Sequence, residues 1–197
     1  MTKRSLWLTL SLVVVLGLSA CSQDKPAFRG VDITGADYAQ GWSLSDQDGQ
    51  VRTLKDFSGK VVVVFFGFTQ CPDVCPTALQ EIAEAKQLLG ADGGKLQGIF
   101  ITIDPERDTP ELLKAYVANF GSDFVALRPS PEQLPKVTKD FKIYYKKVEG
   151  KTPSSYSMDH SAGSFTFDPQ GRIRLYNRHA SGAAVLAADA RILLSGK

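Results

Sequence analysis

The sequence predicts one α/β domain with parallel strands at its centre. Two apolar runs rich in β-branched residues, Val61–Phe66 and Leu96–Ile103, indicate strands that are buried on both faces. Each run is followed by a segment whose apolar residues recur at about 3.6-residue spacing, as in an amphipathic helix. Strands and helices that alternate at these lengths favour right-handed crossovers and therefore a parallel core.

The N-terminal part of the chain has the features of an exported lipoprotein. Two basic residues precede the apolar run Leu6–Ala20, which is shorter than the about 20 residues of a membrane-spanning helix. The tripeptide Leu-Ser-Ala before Cys21 looks like a bacterial lipobox, in which the cysteine becomes the lipid-modified first residue. An ordinary signal peptide that ends beside a cysteine is the alternative. We expect a lipoprotein signal peptide over residues 1–20, a lipid anchor and tether over 21–40, and the folded domain over 41–197.

Composition limits the chemistry of the mature chain. The formal net charge is +2, and the expected signal peptide carries two of the cations, so no positive excess remains to bind nucleic acid. Lipidation of Cys21 would leave two cysteines, Cys71 and Cys75. In an oxidising compartment, thiols this close in sequence form a disulfide unless a reductant or a metal ion engages them. They are therefore either a redox pair or part of a metal site.

Turn and cap residues place the remaining elements around the two buried strands. Asp48-Gly49 is a hairpin turn signal, and Pro76 and Pro110 fit the first position of a helix. The predicted elements are a hairpin over Trp42–Leu54, helices over Pro76–Leu89, Pro110–Phe120 and Pro131–Phe141, an edge strand over Lys142–Val148, a hairpin over Ser164–Tyr176 and a helix over Gly182–Leu194.

These elements predict a thioredoxin-like α/β fold with an N-terminal β-hairpin and an additional hairpin near the C-terminus. The two cysteines would lie at the C-terminal end of a central parallel strand, where open α/β sheets bind their ligands. Cys75 would lie at or beside the N-cap of the next helix. Free N–H groups and the helix macrodipole stabilise a thiolate at that position.

The spacing Cys71-Pro-Asp-Val-Cys75 permits both redox chemistry and metal binding. Residues four apart on a helix have Cα atoms about 6 Å from each other, which a disulfide tolerates. Three residues separate the thiols here, whereas thioredoxin-type oxidoreductases have two. A merely stabilising disulfide would close a very short loop and would gain little from it.

The chain contains only two histidines, His160 and His179. We expect His160 in a loop that enters the strand beginning at Ser164, and His179 in a polar surface loop. Two thiolates and one imidazole form a soft mixed donor set that suits copper, whereas a structural zinc site requires four ligands. The residues alone leave a role for His160 open.

A third motif, Asp104-Pro-Glu-Arg-Asp-Thr-Pro110, follows the second buried strand. Asp104 would lie at the same edge of the sheet as the cysteines. Asp108 or Thr109 is placed to cap the helix that Pro110 begins. Both simple capping and a supporting role at a metal site are compatible with this pattern, which lacks the turn and the ligand count of a calcium loop.

Three motifs in this order, GFTQCPDVCP, TIDPERDTPE and YSMDHSAGSF, resemble those of the Sco (SenC/PrrC) family of copper-binding cytochrome c oxidase assembly proteins. The resemblance extends from about Val31 to Gly171. It implies that Cys71, Cys75 and His160 bind one copper ion, as Cu(I) or Cu(II). In the oxidised metal-free form, Cys71 and Cys75 would form a disulfide.

The resemblance also implies partners and a location. The expected partner is the CuA domain of cytochrome c oxidase subunit II, together with a periplasmic copper donor and a thiol reductant. The lipid on Cys21 would hold the protein at the periplasmic face of a bacterial membrane, and an oxidase partner favours the inner membrane. Position 70 is glutamine in this chain, where many relatives carry histidine or serine. We expect the Met158 side chain to lie in the core.

Two functions are compatible with the sequence. In the first, the protein is a metallochaperone that delivers copper to the CuA centre and loads only when its dithiol is reduced. In the second, it is a thiol-disulfide reductase that keeps the CuA-site cysteines reduced, with His160 dispensable. A peroxidase is disfavoured because peroxiredoxins use a lone attacking cysteine in an arginine-supported pocket. The absence of a proline between His160 and Ser164 makes general disulfide exchange less favoured.

Overall fold

The computed structural model describes residues 27–152 and 155–196. The expected signal peptide and the lipidation site at Cys21 lie outside these residues. Among the helices described, none is both long enough and apolar enough to cross a membrane.

Ten strands and four α-helices make up the described fold, with two short 3₁₀ segments at Leu54–Phe57 and Gly90–Lys95. The strands are β1 (Val31–Asp32), β2 (Ser43–Asp46), β3 (Val51–Thr53), β4 (Val61–Gly67), β5 (Leu96–Thr102), β6 (Val125–Arg128), β7 (Tyr145–Val148), β8 (Ser157–His160), β9 (Ser164–Phe167) and β10 (Ile173–Asn177). The helices are α1 (Val74–Leu88), α2 (Pro110–Ala118), α3 (Leu134–Asp140) and α4 (Ala183–Leu194).

The main sheet has eight strands in the order β1-β10-β9-β4-β5-β6-β2-β3. Its β4, β5 and β6 are parallel, as predicted from the alternation of strands and helices. Antiparallel strands flank this parallel core on both sides, because the β2–β3 and β9–β10 hairpins pair with β6 and β4. The predicted thioredoxin-like fold with a hairpin near each end is confirmed.

Burial explains why β4 and β5 occupy the centre. All seven residues of each strand are buried, and apolar side chains predominate on both faces of the strands. The aromatic cluster on one side of β4 includes Phe66 and Phe141, whose ring centroids are 4.9 Å apart. Helices α1 and α4 pack against each other beside the sheet. Met158 is also buried, which confirms its expected place in the core.

Three sequence predictions need correction. The first helix begins at Val74 with Asp73 as N-cap, so Cys75 lies within the first turn and Pro76 is not the first helical residue. The expected edge strand over Lys142–Val148 is shorter and does not join the main sheet. It pairs only with β8 in a separate two-stranded antiparallel sheet. His160 is therefore the last residue of a strand, and its predicted placement in a loop was wrong.

The second half of the expected tether is attached to the domain. Strand β1 pairs with β10 at the edge of the main sheet. Just before it, the backbone N–H groups of Arg29 and Gly30 each donate to the buried carboxylate of Asp189, both at 2.8 Å. A buried carboxylate that accepts two such bonds fixes the entry of the chain into the fold.

Candidate metal centre

The two cysteines lie where β4 passes into α1. We call residues 68–73 the cysteine loop. The Cys71 N–H donates to the Phe68 carbonyl at 3.2 Å, which turns the chain towards the helix. One turn later, the Cys75 N–H lies 3.4 Å from the Cys71 sulfur. Cys71 is half-buried at the rim, whereas Cys75 is fully buried beneath it.

Gly67 makes room for the inner sulfur. A Cβ atom at position 67 would lie 2.5 Å from Cys75 Sγ and 2.8 Å from Cε2 of Phe100. Neither neighbour can withdraw easily, because both side chains are fully buried. The glycine that ends β4 is therefore required by the close approach of the thiol.

His160 approaches the thiols from the separate β7–β8 sheet. Its Nδ1 lies 2.9 Å from the Ser161 carbonyl oxygen, a contact that requires Nδ1 to carry the proton. The lone pair of Nε2 is then free, and Nε2 lies 3.5 Å from Cys75 Sγ. A backbone carbonyl that fixes the tautomer in this way is typical of metal-binding histidines.

The fold brings all three predicted ligands together. The sulfur atoms of Cys71 and Cys75 and a ring nitrogen of His160 lie within 4.8 Å of one another. Among the described residues, no other group of three or more Cys, His, Asp or Glu side chains reaches this geometry. His179 is exposed, as expected, and does not belong to the group.

The two thiols have opposite electrostatic character. A hydrogen bond from the Cys75 thiol lowers the pKa of Cys71 to about 3, although partial burial opposes this shift. The same hydrogen bond, together with burial, raises the pKa of Cys75. Without metal, the site therefore holds an outer thiolate and an inner thiol. Both cysteines are free in the structure, and the expected disulfide stays a prediction.

The acidic motif caps a helix and also contacts the cysteine loop, while its supporting role at a metal site stays a prediction. Thr109 caps α2, because its side chain accepts from the Leu112 N–H. Asp108 instead turns inwards and accepts hydrogen bonds from Thr69 N–H at 3.1 Å and from the Thr69 and Thr102 hydroxyls at 2.5 Å. Asp108 thereby fixes the cysteine loop, while its burial raises the pKa of its carboxyl group.

A thioredoxin-like fold that presents two thiols and an imidazole at the end of a central strand defines a class of metal- or redox-active dithiol proteins. Within that class, the chain belongs to the SCO1/SenC family, whose family model matches residues 31–195.

Individual relatives agree with this assignment. An SCO2-like protein of Rickettsia typhi is 36% identical over 171 residues, which cover 83% of this chain and 84% of the relative. The structure of Bradyrhizobium japonicum ScoI with copper bound is similar with a TM-score of 0.71 and 38% identity, covering 78% of this chain and 97% of that one. A SCO1/SenC family lipoprotein from Bacillus anthracis is similar with a TM-score of 0.70 and 25% identity, covering 85% and 99%.

The different pKa values of the two thiols predict selective alkylation of the reduced, metal-free protein. Because the pKa of Cys71 is lowered to about 3, this residue is a thiolate at every pH above that value. We expect iodoacetamide to modify Cys71 before Cys75, at a rate that changes less than about twofold between pH 5 and pH 8. Mass spectrometry of peptides after timed quenching measures both rates.

The Cys71→Ser variant is the control, because it leaves Cys75 as the only thiol of the pair. A rate for Cys71 that rises about tenfold per pH unit over the same interval would show an ordinary thiol and contradict the prediction.

Proposed function

We propose that the protein is a metallochaperone that binds one copper ion and delivers it to the CuA centre of cytochrome c oxidase subunit II. The observation that carries the proposal is the convergence of two cysteine sulfurs and one imidazole nitrogen within 4.8 Å. Its family membership and the copper found in Bradyrhizobium japonicum ScoI support the choice of metal.

The donor set fits copper better than its competitors. Thiolates are soft ligands that favour Cu(I), and an imidazole nitrogen binds Cu(I) and Cu(II) well. Three donors are one fewer than a closed structural zinc site has, and calcium and magnesium prefer oxygen ligands. Cys71 is already a thiolate at neutral pH, so binding displaces a proton only from Cys75.

The exposure of the site suits transfer to a partner. Cys71 and His160 are both partly exposed, whereas Cys75 is buried. Donor groups of a docked partner would therefore reach the ion from the side of Cys71 and His160. Oxidation of the pair to the Cys71–Cys75 disulfide would remove both sulfur ligands, so loading requires the reduced protein.

Copper titration of the reduced protein tests the binding site. We expect one equivalent of Cu(I) or Cu(II) per chain, and we expect Cys71→Ser and Cys75→Ser to lose both ions. His160→Ala should weaken Cu(II) binding by more than ~100-fold, since removing a ligand costs more than removing its outer-shell partner. Anaerobic competition with chromophoric chelators and the thiolate-to-copper absorption band measure these affinities.

His179→Ala is the matched control, because it removes the other histidine of the chain from an exposed position. It should bind both ions as the wild type does. Full Cu(II) affinity in His160→Ala would contradict the proposed ligand set.

A second function is reduction of the disulfide in the apo CuA site. The opposite pKa shifts of Cys71 and Cys75 favour it, because they provide an attacking thiolate beside a protonated thiol. The Cys71 thiolate would attack one sulfur of the target disulfide and release the other as a thiolate. Cys75 would then pass its proton to the thiolate released in the first step and attack Cys71 Sγ, which closes the Cys71–Cys75 disulfide and releases the second target thiolate. The target gains two electrons and the cysteine pair loses two, so a thiol reductant must restore the dithiol.

His160 separates the two functions in a reconstitution with an isolated CuA domain. If the protein delivers copper, His160→Ala should lose most of the transfer to a reduced CuA domain while it still reduces an oxidised one. Thiolate-to-copper absorption of the CuA centre and thiol counting measure the two activities. Wild-type levels of CuA loading by His160→Ala, together with loss of disulfide reduction in Cys71→Ser, would instead establish the reductase.

The proposal includes attachment to the periplasmic face of the inner membrane through a lipid on Cys21. The lipobox-like sequence supports it. We expect Cys21→Ser to lose incorporation of labelled palmitate and to move into the soluble fraction of the bacterial cell. Equal membrane retention of the wild type and of Cys21→Ser, with no label in either, would overturn this part of the proposal.

A further inference from the structure

Arg107 connects the two halves of the metal centre. It lies between β5 and α2, and only 14% of its side chain is exposed. Its Nη1 donates to the Tyr156 carbonyl at 2.8 Å and to Oε1 of Gln70 at 3.0 Å. Gln70 immediately precedes Cys71, and Tyr156 immediately precedes β8, which ends at His160. One guanidinium therefore contacts both segments that carry metal ligands.

The arginine is itself held in place by a buried carboxylate and an aromatic ring. Its Nε donates to Oδ2 of Asp104 at 2.5 Å, and the guanidinium carbon lies 3.5 Å from the centroid of the Tyr156 ring. The Tyr156 hydroxyl donates to the other oxygen of Asp104 at 2.8 Å. Asp104, Arg107 and Tyr156 thus form a closed set of contacts, which we call the arginine clamp.

The strand that carries His160 needs such support. Strands β7 and β8 form a sheet apart from the main one, and a two-stranded sheet depends for its stability on contacts with the rest of the domain. The arginine clamp contacts this sheet at Tyr156, where the chain enters β8. Arg107 donates a charge-assisted hydrogen bond to the Tyr156 carbonyl and makes a cation–π contact with the Tyr156 ring. The forked geometry of arginine allows the three hydrogen bonds and the stacking at the same time.

We infer that Arg107 is a positioning residue for the third ligand, acting with Asp104 and Tyr156 to hold His160 over the thiol pair. The inference rests on the proposed copper-binding function. Two thiolates can retain Cu(I) without the imidazole, whereas Cu(II) depends on the nitrogen ligand. A displaced His160 should therefore affect the two oxidation states unequally.

Replacement of the guanidinium tests the inference. We expect Arg107→Met to weaken Cu(II) binding by ~10–100-fold, the usual effect of losing an outer-shell partner, while Cu(I) affinity changes less than about threefold. Arg107→Lys keeps the charge beside Asp104 but not the fork, so its Cu(II) affinity should lie between those of Arg107→Met and the wild type. The same chelator competition and absorption measurements serve here.

A double-mutant cycle shows whether Arg107 acts through the histidine. In the His160→Ala background, Arg107→Met should change Cu(II) affinity by less than about threefold, because the group that it positions is gone. Additive losses in the two variants would overturn the inference, since Arg107 would then affect the ion by another route.

Arg52→Met is the matched control for loss of an arginine beside a buried aspartate. Arg52 Nε donates to Oδ2 of Asp46 at 2.7 Å on the β2–β3 hairpin, and the Asp46 side chain is 1% exposed. We expect this variant to lose stability in urea but to keep wild-type Cu(II) affinity. An equal loss of Cu(II) in Arg52→Met and Arg107→Met would assign the effect to general destabilisation and overturn the inference.

The outcomes separate this inference from the function on which it rests. If the wild type binds no copper, the proposed function itself fails. If His160→Ala loses Cu(II) and Arg107→Met does not, the function stands and the positioning role is wrong. Should Arg107→Met fail to fold, Tyr156→Phe decides the question, because it removes only the hydroxyl bond to Asp104 and should weaken Cu(II) severalfold with Cu(I) unchanged.

Discussion

The parallel pairing of β4 with β5 determines where the metal centre forms. In this register Gly67, the last residue of β4, lies beside Thr102, the last residue of β5. The Ile103 N–H donates to the Gly67 carbonyl at 2.8 Å and extends the pairing beyond both strands. The cysteine loop and the acidic motif therefore leave the sheet side by side. The polar contacts between them depend on that register, since a shift of one residue would turn the side chains of the shifted strand to the opposite face of the sheet.

The site combines a rigid interior with an accessible rim. Cys75 lies in the apolar core, and burial stabilises its neutral form, while Cys71 at the rim is an anion. Asp108 ties the cysteine loop to β5 through two threonine hydroxyls. The arginine clamp joins this assembly to the β7–β8 sheet. Copper binding and the disulfide reduction proposed above would thus depend on the same set of buried polar contacts.

The sequence predicted the centre of the fold and the cysteine pair because their signals are local. The β-branched run over Val61–Phe66 and the cysteine spacing each lie within a few residues. His160 is 85 residues away from Cys75, and its strand pairs outside the main sheet, so the residues alone left its role open and misplaced it in a loop. The sequence did not predict that Arg107 connects the cysteine loop with β8, because its partner Tyr156 lies 49 residues away. Only the chain fold brings such pairs together.

The attachment of the N-terminal segment to Asp189 limits how far the domain can move from a lipid anchor to meet a partner. Arg29, from which hydrogen bonds hold the chain to the domain, lies eight residues after Cys21. These eight residues span at most ~28 Å when fully extended. If Cys21 carries a lipid, as proposed above, the point at which the chain enters the domain would lie no farther from the bilayer surface than this length. On that proposal, copper could reach acceptor sites close above the membrane surface but not proteins that diffuse freely away from it.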